Sequence, residues 1–304
     1  MNAAEVAVAL GKPRREGRRW RCLCPLHGGH SLTVGDGRDG RIIFKCWGGC
    51  DRRDLIAEFR RRHFMNGKSE NYRSEANEPI SPQYSTAQDD RRIARAAAIW
   101  DKAADPRGTI VEEYLAARAL NLAPELCGSA LRFHPACPWG NRQAGTVEFV
   151  AAMIVAFTSI AGDKITGIHR IRVDQPGRWP KADRMMLGRI NGSAAKLDPI
   201  GNCLVIGEGV ETCIAARQIG LRPVWALGSA AGIENFPLVG GLEELIILGE
   251  NDSGTNRSAA LKCQQTWKER RVTIVHPRRA KDMNDFVMEK ENVGSAIGLA
   301  VQRR

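Results

Sequence analysis

No stretch of this 304-residue chain stays apolar long enough to cross a bilayer. The longest, from Phe149 to Ala161, is broken by Thr158 and Ser159 and falls short of the ~20 residues that a spanning helix needs. The opening Met-Asn-Ala-Ala-Glu-Val lacks the basic segment and apolar run of a secretory signal. Both absences predict a cytoplasmic protein with no membrane partner. Nowhere does Gly-x-x-x-x-Gly-Lys-Ser/Thr occur, which excludes a phosphate-loop ATPase or a fused helicase. Acidic residues are scarce, with 34 Asp and Glu against 45 Lys and Arg. The net charge of +11 makes a polyanion the expected partner. Nine cysteines, an odd number, argue against a disulfide framework and for metal ligands plus reduced core thiols.

The positive charge is unevenly spread. Residues 1–63 hold 14 Lys and Arg against seven Asp and Glu. Arg14, Arg15, Arg18, Arg19 and Arg21 precede one cysteine cluster, and Arg52, Arg53, Arg60, Arg61 and Arg62 follow a second. Arginines flanking a metal site fit nucleic-acid contact better than a merely solvated face. Residues 65–90 are polar, carry Pro79 and Pro82 and show no periodicity, so they read as a linker after a domain at 1–64. In 91–200 the spacing of Ile93, Ala97, Ile99 and Trp100, and of Ile110, Tyr114, Leu115 and Ala119, predicts two helices. Two strands, Val147 to Phe157 and Lys164 to Val173, follow around the turn Ala161-Gly162-Asp163, making this a mixed α+β segment.

From 201 to 304 short apolar runs alternate with helical segments. Strands fit Cys203 to Ile206, Val224 to Leu227, Leu245 to Leu248 and Val272 to Val275. Helices fit Val210 to Ile219, Asn256 to Arg270 and Asn284 to Glu289. That alternation predicts a parallel sheet covered on both faces, and for the whole chain a multidomain α/β architecture.

Cys24-Pro-Leu-His27 and Cys46-Trp-Gly-Gly-Cys50 supply two close ligand pairs separated by a span that suits a hairpin. Four such N and S donors match a closed, structural Zn²⁺ site. Cys22 is an alternative to Cys24, although the two-residue gap between Cys24 and His27 better suits a chelating turn. From Trp20 to Phe59 the stretch resembles the N-terminal zinc-binding domain of bacterial DnaG-type primases, a zinc ribbon of Cys-His-Cys-Cys type. Its second pair is Cys-x₃-Cys where that family has Cys-x₂-Cys. The resemblance implies contact with single-stranded DNA template, to which Arg52 and Arg53 would contribute, with Trp20 or Trp47 available to stack on bases.

Three acidic clusters lie at or beyond strand ends: Glu208 with Glu211, Glu250 with Asp252, and Asp282 with Asp285. In an open parallel sheet these ends converge, and carboxylates gathered there call for a divalent cation, Mg²⁺ or Mn²⁺. Gly207-Glu-Gly209-Val-Glu-Thr212 begins like a dinucleotide-binding loop, but Thr212 replaces the third glycine and the two glutamates oppose a bare pyrophosphate. The span Asn202 to Glu289 resembles instead a Toprim domain. The matching residues are Glu208 in Glu-Gly-Val-Glu-Thr, Glu250-Asn251-Asp252 in the place of Asp-x-Asp, and Lys281-Asp282-Met283-Asn284-Asp285. The form is most similar to primase-type Toprim proteins of phages, plasmids and integrated elements, with Glu250 standing where the first aspartate is usual.

On that resemblance the catalytic, Mg²⁺- or Mn²⁺-binding residues are Glu208, Glu250, Asp252 and Asp282. Cys24, His27, Cys46 and Cys50 hold Zn²⁺. Gly167-Ile-His169-Arg170 and Arg184-Met-Met-Leu-Gly188 resemble segments that precede Toprim in these primases, which implies nucleotide or template binding by Arg170, Lys181 and Arg184, and more weakly Lys196. Cys127, His134 and Cys137 offer only three ligands and read as core or loop residues. The implied function is DNA primase, making short RNA primers from NTPs on single-stranded DNA beside a replicative helicase supplied in trans. A Toprim nuclease and a non-catalytic nucleic-acid-binding replication protein are the alternatives.

Overall fold

The computed structural model of the chain describes all residues except 18, 27, 38–40, 47–49, 51, 66–86, 142–145, 252–253, 294–298 and 304; side chains at 52–53, 87–88, 141, 146, 180–181, 290–293 and 299–303 are likewise outside the description. Two compact units emerge, Met1–Ser81 and Pro82–Arg304. No helix among the described residues is long and apolar enough to cross a membrane.

The first unit is built on a four-stranded antiparallel sheet in the order β1 (Arg14–Glu16), β2 (Arg19–Cys22), β3 (Leu32–Asp36) and β4 (Ile42–Cys46). Helix α1 (Ala3–Leu10) starts with a capping box, in which Asn2 accepts from the Glu5 N–H at 2.9 Å and Glu5 accepts from the Asn2 N–H at 3.1 Å. It buries Ala3, Val6, Ala7 and Leu10. Helix α2 (Arg52–Arg61) contributes Leu55 and Phe59, and the Phe59 ring lies 4.4 Å from that of Phe44. Cys22, Cys24 and Cys46 belong to the same small core. So little apolar material covers a segment this size that a cross-link through the cysteines has structural weight.

The second unit opens with α3 (Ala87–Lys102) and α4 (Ile110–Ala116). Helix α3 begins inside the stretch whose composition predicts a linker. The strands that follow are β5 (Leu131–Asn141), β6 (Thr146–Ser159), β7 (Ile165–Arg172), β8 (Arg184–Gly188) and β9 (Ser193–Lys196). Then come β10 (Cys203–Gly207), α5 (Val210–Gln218), β11 (Val224–Ala226), α6 (Ala230–Glu234), β12 (Glu244–Leu248), α7 (Thr255–Thr266), β13 (Arg271–Pro277), α8 (Met283–Val293) and β14 (Leu299–Arg303).

Ten strands form one sheet in the order β14-β13-β12-β10-β11-β9-β6-β7-β8, with β5 paired to β6. Among the described residues only β13, β12, β10 and β11 are mutually parallel; β14 and β9 close this block with antiparallel pairings. No break in the sheet falls at residue 200, because β9 pairs with both β11 and β6. One apolar core includes residues of α4, α5 and α8, and a second includes α6 and α7, closed by the stacked rings of Phe236 and Trp267 at 5.8 Å. Gly207 lets α5 approach β10, since a Cβ there would stand 2.7 Å from Cys213 Sγ.

Candidate functional site

In the first unit the turn after β2 is closed by Cys24 N–H to Gly29 O and Gly28 N–H to Cys24 O, both 2.8 Å. That turn aims Cys24 at Cys46, the last residue of β4, and at Cys50. Their sulfurs all lie within 4.8 Å of one another, with Cys24 and Cys50 at 3.6 Å. Burial, then the neighbouring Cys24 and Cys46, push the Cys50 thiol up to about 12. Thiols this close resist ionisation together unless a cation is shared, and three soft donors at this spacing suit Zn²⁺. Cys22 is buried against Leu32 O at 3.7 Å and stands outside the triad. The fourth expected ligand, His27, lies outside the described residues, as do the side chains of Arg52 and Arg53. All nine cysteines are free thiols.

In the second unit the chain runs from β10 through α5 to β11 on one side, then returns to β12 on the other side of β10. Loops after β10 and β12 therefore diverge toward α5 and α7, opening the crevice that marks a topological switch point. Glu208 follows β10 and Glu250 follows β12, so the two flank that crevice. Asn256 of α7 ties them together, accepting from the Glu250 N–H at 3.0 Å and donating to Glu208 Oε2 at 3.3 Å. Asn251 straps the β12 loop to the β13–α8 loop through Pro277 O (2.6 Å), Ala280 O (2.8 Å) and Lys281 O (2.7 Å). Asp282 reaches the same region, but its Oδ1 caps α8 by accepting from Asn284 and Asp285 N–H at 2.8 and 3.0 Å. Beneath them, Cys213 is raised by burial and by the charges of Glu250, Glu211 and Asp282. Among the described residues no three carboxylates approach within 4.8 Å of one another, and Asp252 lies outside the description. An all-oxygen donor set this open suits Mg²⁺, which takes one or two carboxylates and completes its shell with water and phosphate.

Glu211, expected at the acidic edge, is turned inward and buried. Arg184 of β8 donates to its Oε1 at 2.8 and 3.2 Å, and the Tyr114 hydroxyl of α4 donates to the same atom at 2.7 Å. Burial alone would raise this carboxyl, but Arg184, with His169 and Arg118, overrides it and holds Glu211 down to about 2. Arg184 is thus committed to an internal partner while remaining a third exposed. His169, buried on β7, is driven down to about 4 by desolvation, and its Nδ1 has no hydrogen-bond partner among the described residues. Together with Met186, Glu208 and Glu211, these two side chains line a cavity of about 300 Å³ beside the crevice.

Arg170, expected to bind phosphate, is 5% exposed, donates to Pro138 O at 2.6 Å and lies over the Trp139 ring. The structure places it inside the second unit. Lys196 donates to Gly162 O at 2.9 Å over the Trp225 ring, and the side chain of Lys181 lies outside the described residues. In the sequence Tyr114 and Asn256 figure only as helix positions and Arg118 not at all. No local pattern marks them, since each acts on a residue far along the chain.

Residues 203–292 match the Toprim domain family, and the second unit carries a Toprim domain. Residues 90–197 match a domain of unknown function, DUF7146. No curated protein matches the sequence. Among solved structures, the fold is similar to the zinc-binding and RNA polymerase domains of the Aquifex aeolicus primase (15% identity, TM-score 0.44, covering 99% of this chain and 84% of that one). It is also similar to a DNA primase domain from Pseudomonas aeruginosa (13%, 0.46, 69% and 79%) and to the primase fragment of the bacteriophage T7 primase-helicase protein (17%, 0.37, 50% and 64%).

Proposed function

We propose that the protein is a DNA primase that joins NTPs into short RNA primers on a single-stranded DNA template. The observation that carries this reading is the pair Glu208 and Glu250 at the switch-point crevice of a Toprim domain. The Cys24, Cys46 and Cys50 cluster in a separate, strongly basic unit supports it, as does the primase-like pattern of motifs along the chain. Glu208 and Glu250, with Asp252 and Asp282, would hold one or two Mg²⁺ or Mn²⁺ ions. A bound ion would neutralise charge on a nucleoside triphosphate and on the pyrophosphate leaving group. The carboxylates repel free anions, so the crevice admits a nucleotide together with its cation and disfavours it alone. Arg184, neutralised by Glu211, shapes the cavity beside Glu208. Cys24, Cys46 and Cys50, with His27 as the expected fourth ligand, would hold a structural Zn²⁺ in the first unit, whose arginines grip template phosphates. A replicative helicase acts in trans.

The full chain incubated with single-stranded DNA, labelled NTPs and Mg²⁺ is expected to yield oligoribonucleotides, and Glu208→Gln to abolish them. Template degradation that depends on Glu208 replaces primase by a nuclease. Binding of template with neither product leaves a non-catalytic replication protein.

A further inference from the structure

Asn256 is fully buried in the first turn of α7. Its Oδ1 accepts the Glu250 N–H, which fixes the orientation of the amide and presents Nδ2 to Glu208 Oε2. One side chain thereby spans the crevice, joining the backbone of one carboxylate-bearing loop to the side chain of the other. The other buried positions of α7 are Ala259, Ala260, Cys263 and Gln264, so Asn256 is one of two amides the helix buries. A buried amide is costly unless its polar atoms are satisfied, and both of those on Asn256 are.

We infer that Asn256 is a positioning residue for a divalent cation: by tethering Oε2 it holds the Glu208 carboxylate in one orientation, and by accepting from Glu250 it sets the distance between the two ligand-bearing loops. This rests on the metal-dependent reading above. Carboxylate ligands are held by outer hydrogen bonds of this kind, and losing one weakens metal binding by about 10–100-fold.

The test is Mn²⁺ binding to the full chain, followed by electron paramagnetic resonance without nucleotide or DNA. Asn256→Ala is expected to weaken Mn²⁺ binding by about 10-fold or more. Asn256→Ser, whose hydroxyl stops one bond short of both the Oδ1 and the Nδ2 positions, is expected to do the same while keeping a polar side chain at the site. Glu208→Asp keeps the charge but retracts it from the amide, so in that background Asn256→Ala is expected to add less than about twofold, the signature of coupled sites. An equal loss in both backgrounds would mean general loosening of the fold and overturns the inference. So do wild-type affinity in Asn256→Ala and an absence of Mn²⁺ binding by the wild type. Coupled Mn²⁺ binding without primer synthesis removes the primase reading and leaves the role of Asn256 standing; primer synthesis with uncoupled binding does the reverse.

Discussion

Arg184→Met would remove the guanidinium that donates two hydrogen bonds to Glu211 and leave a carboxylate whose side chain is only 8% exposed. The Tyr114 hydroxyl would remain, a neutral donor facing a full charge. Breaking a buried pair by removing one partner costs about 3–5 kcal/mol, and in a unit of this size each kcal/mol moves the melting temperature by about 2–4 °C. The second unit should therefore melt about 6–20 °C lower at pH 7, as followed by calorimetry. Adding Glu211→Gln removes the stranded charge and should restore more than half of the loss.

The pH dependence provides a second check. In the wild type Glu211 is held at about 2, below its ordinary 4.5, so its contribution to stability is complete above pH 4.5 and is lost as pH falls toward 2. Without Arg184, burial pushes the carboxyl up from about 2, so the variant's deficit relative to the wild type should shrink as pH falls and the stranded carboxylate takes up a proton. A variant that melts within about 2 °C of the wild type, or a double variant no more stable than the single one, would refute the argument.

Gly249→Ala should displace the loop that carries Glu250, because the new Cβ would collide with the His276 ring. Overpacking of this kind costs about 1–3 kcal/mol, and a simultaneous His276→Ala should recover stability and primer synthesis together. Cys46→Ser should abolish one equivalent of bound zinc by elemental analysis and expose residues 1–81 to limited proteolysis, with the second unit left intact. His169 has its pKa depressed from 6.5 to about 4, so stability should decline as pH falls from 6.5 toward 4; His169→Phe should flatten that part of the denaturation profile.

Apart from the short helix α6, which the periodicity does not mark, the strands and helices from Cys203 to Val293 follow the apolar periodicity within a few residues, because both faces of the parallel block are buried and its strands read as continuous apolar runs. Strands β1, β2 and β8 escape that reasoning. β1 is fully exposed, β2 alternates arginine with Trp20 and Cys22, and β8 is an edge strand, so none shows a clear apolar period. Antiparallel β14 and β9 are invisible for a different reason: a partner strand is a property of pairing, not of composition.

Sequence alone determined the cysteine spacing that brings Cys24, Cys46 and Cys50 together, the alternation that builds the Toprim domain, and the placement of Glu208 and Glu250 immediately after β10 and β12. Each depends on neighbours within a turn or a hairpin, where chain geometry leaves few choices. Tertiary structure decided which charged residues face the crevice. Glu211, three residues from Glu208, is buried by partners 27 and 97 residues away, Arg184 and Tyr114. Arg170 is similarly withdrawn by Pro138 and Trp139. Whether a charge stays in water or is buried depends on the desolvation it suffers and the countercharge it meets, and both are fixed only when distant segments pack together.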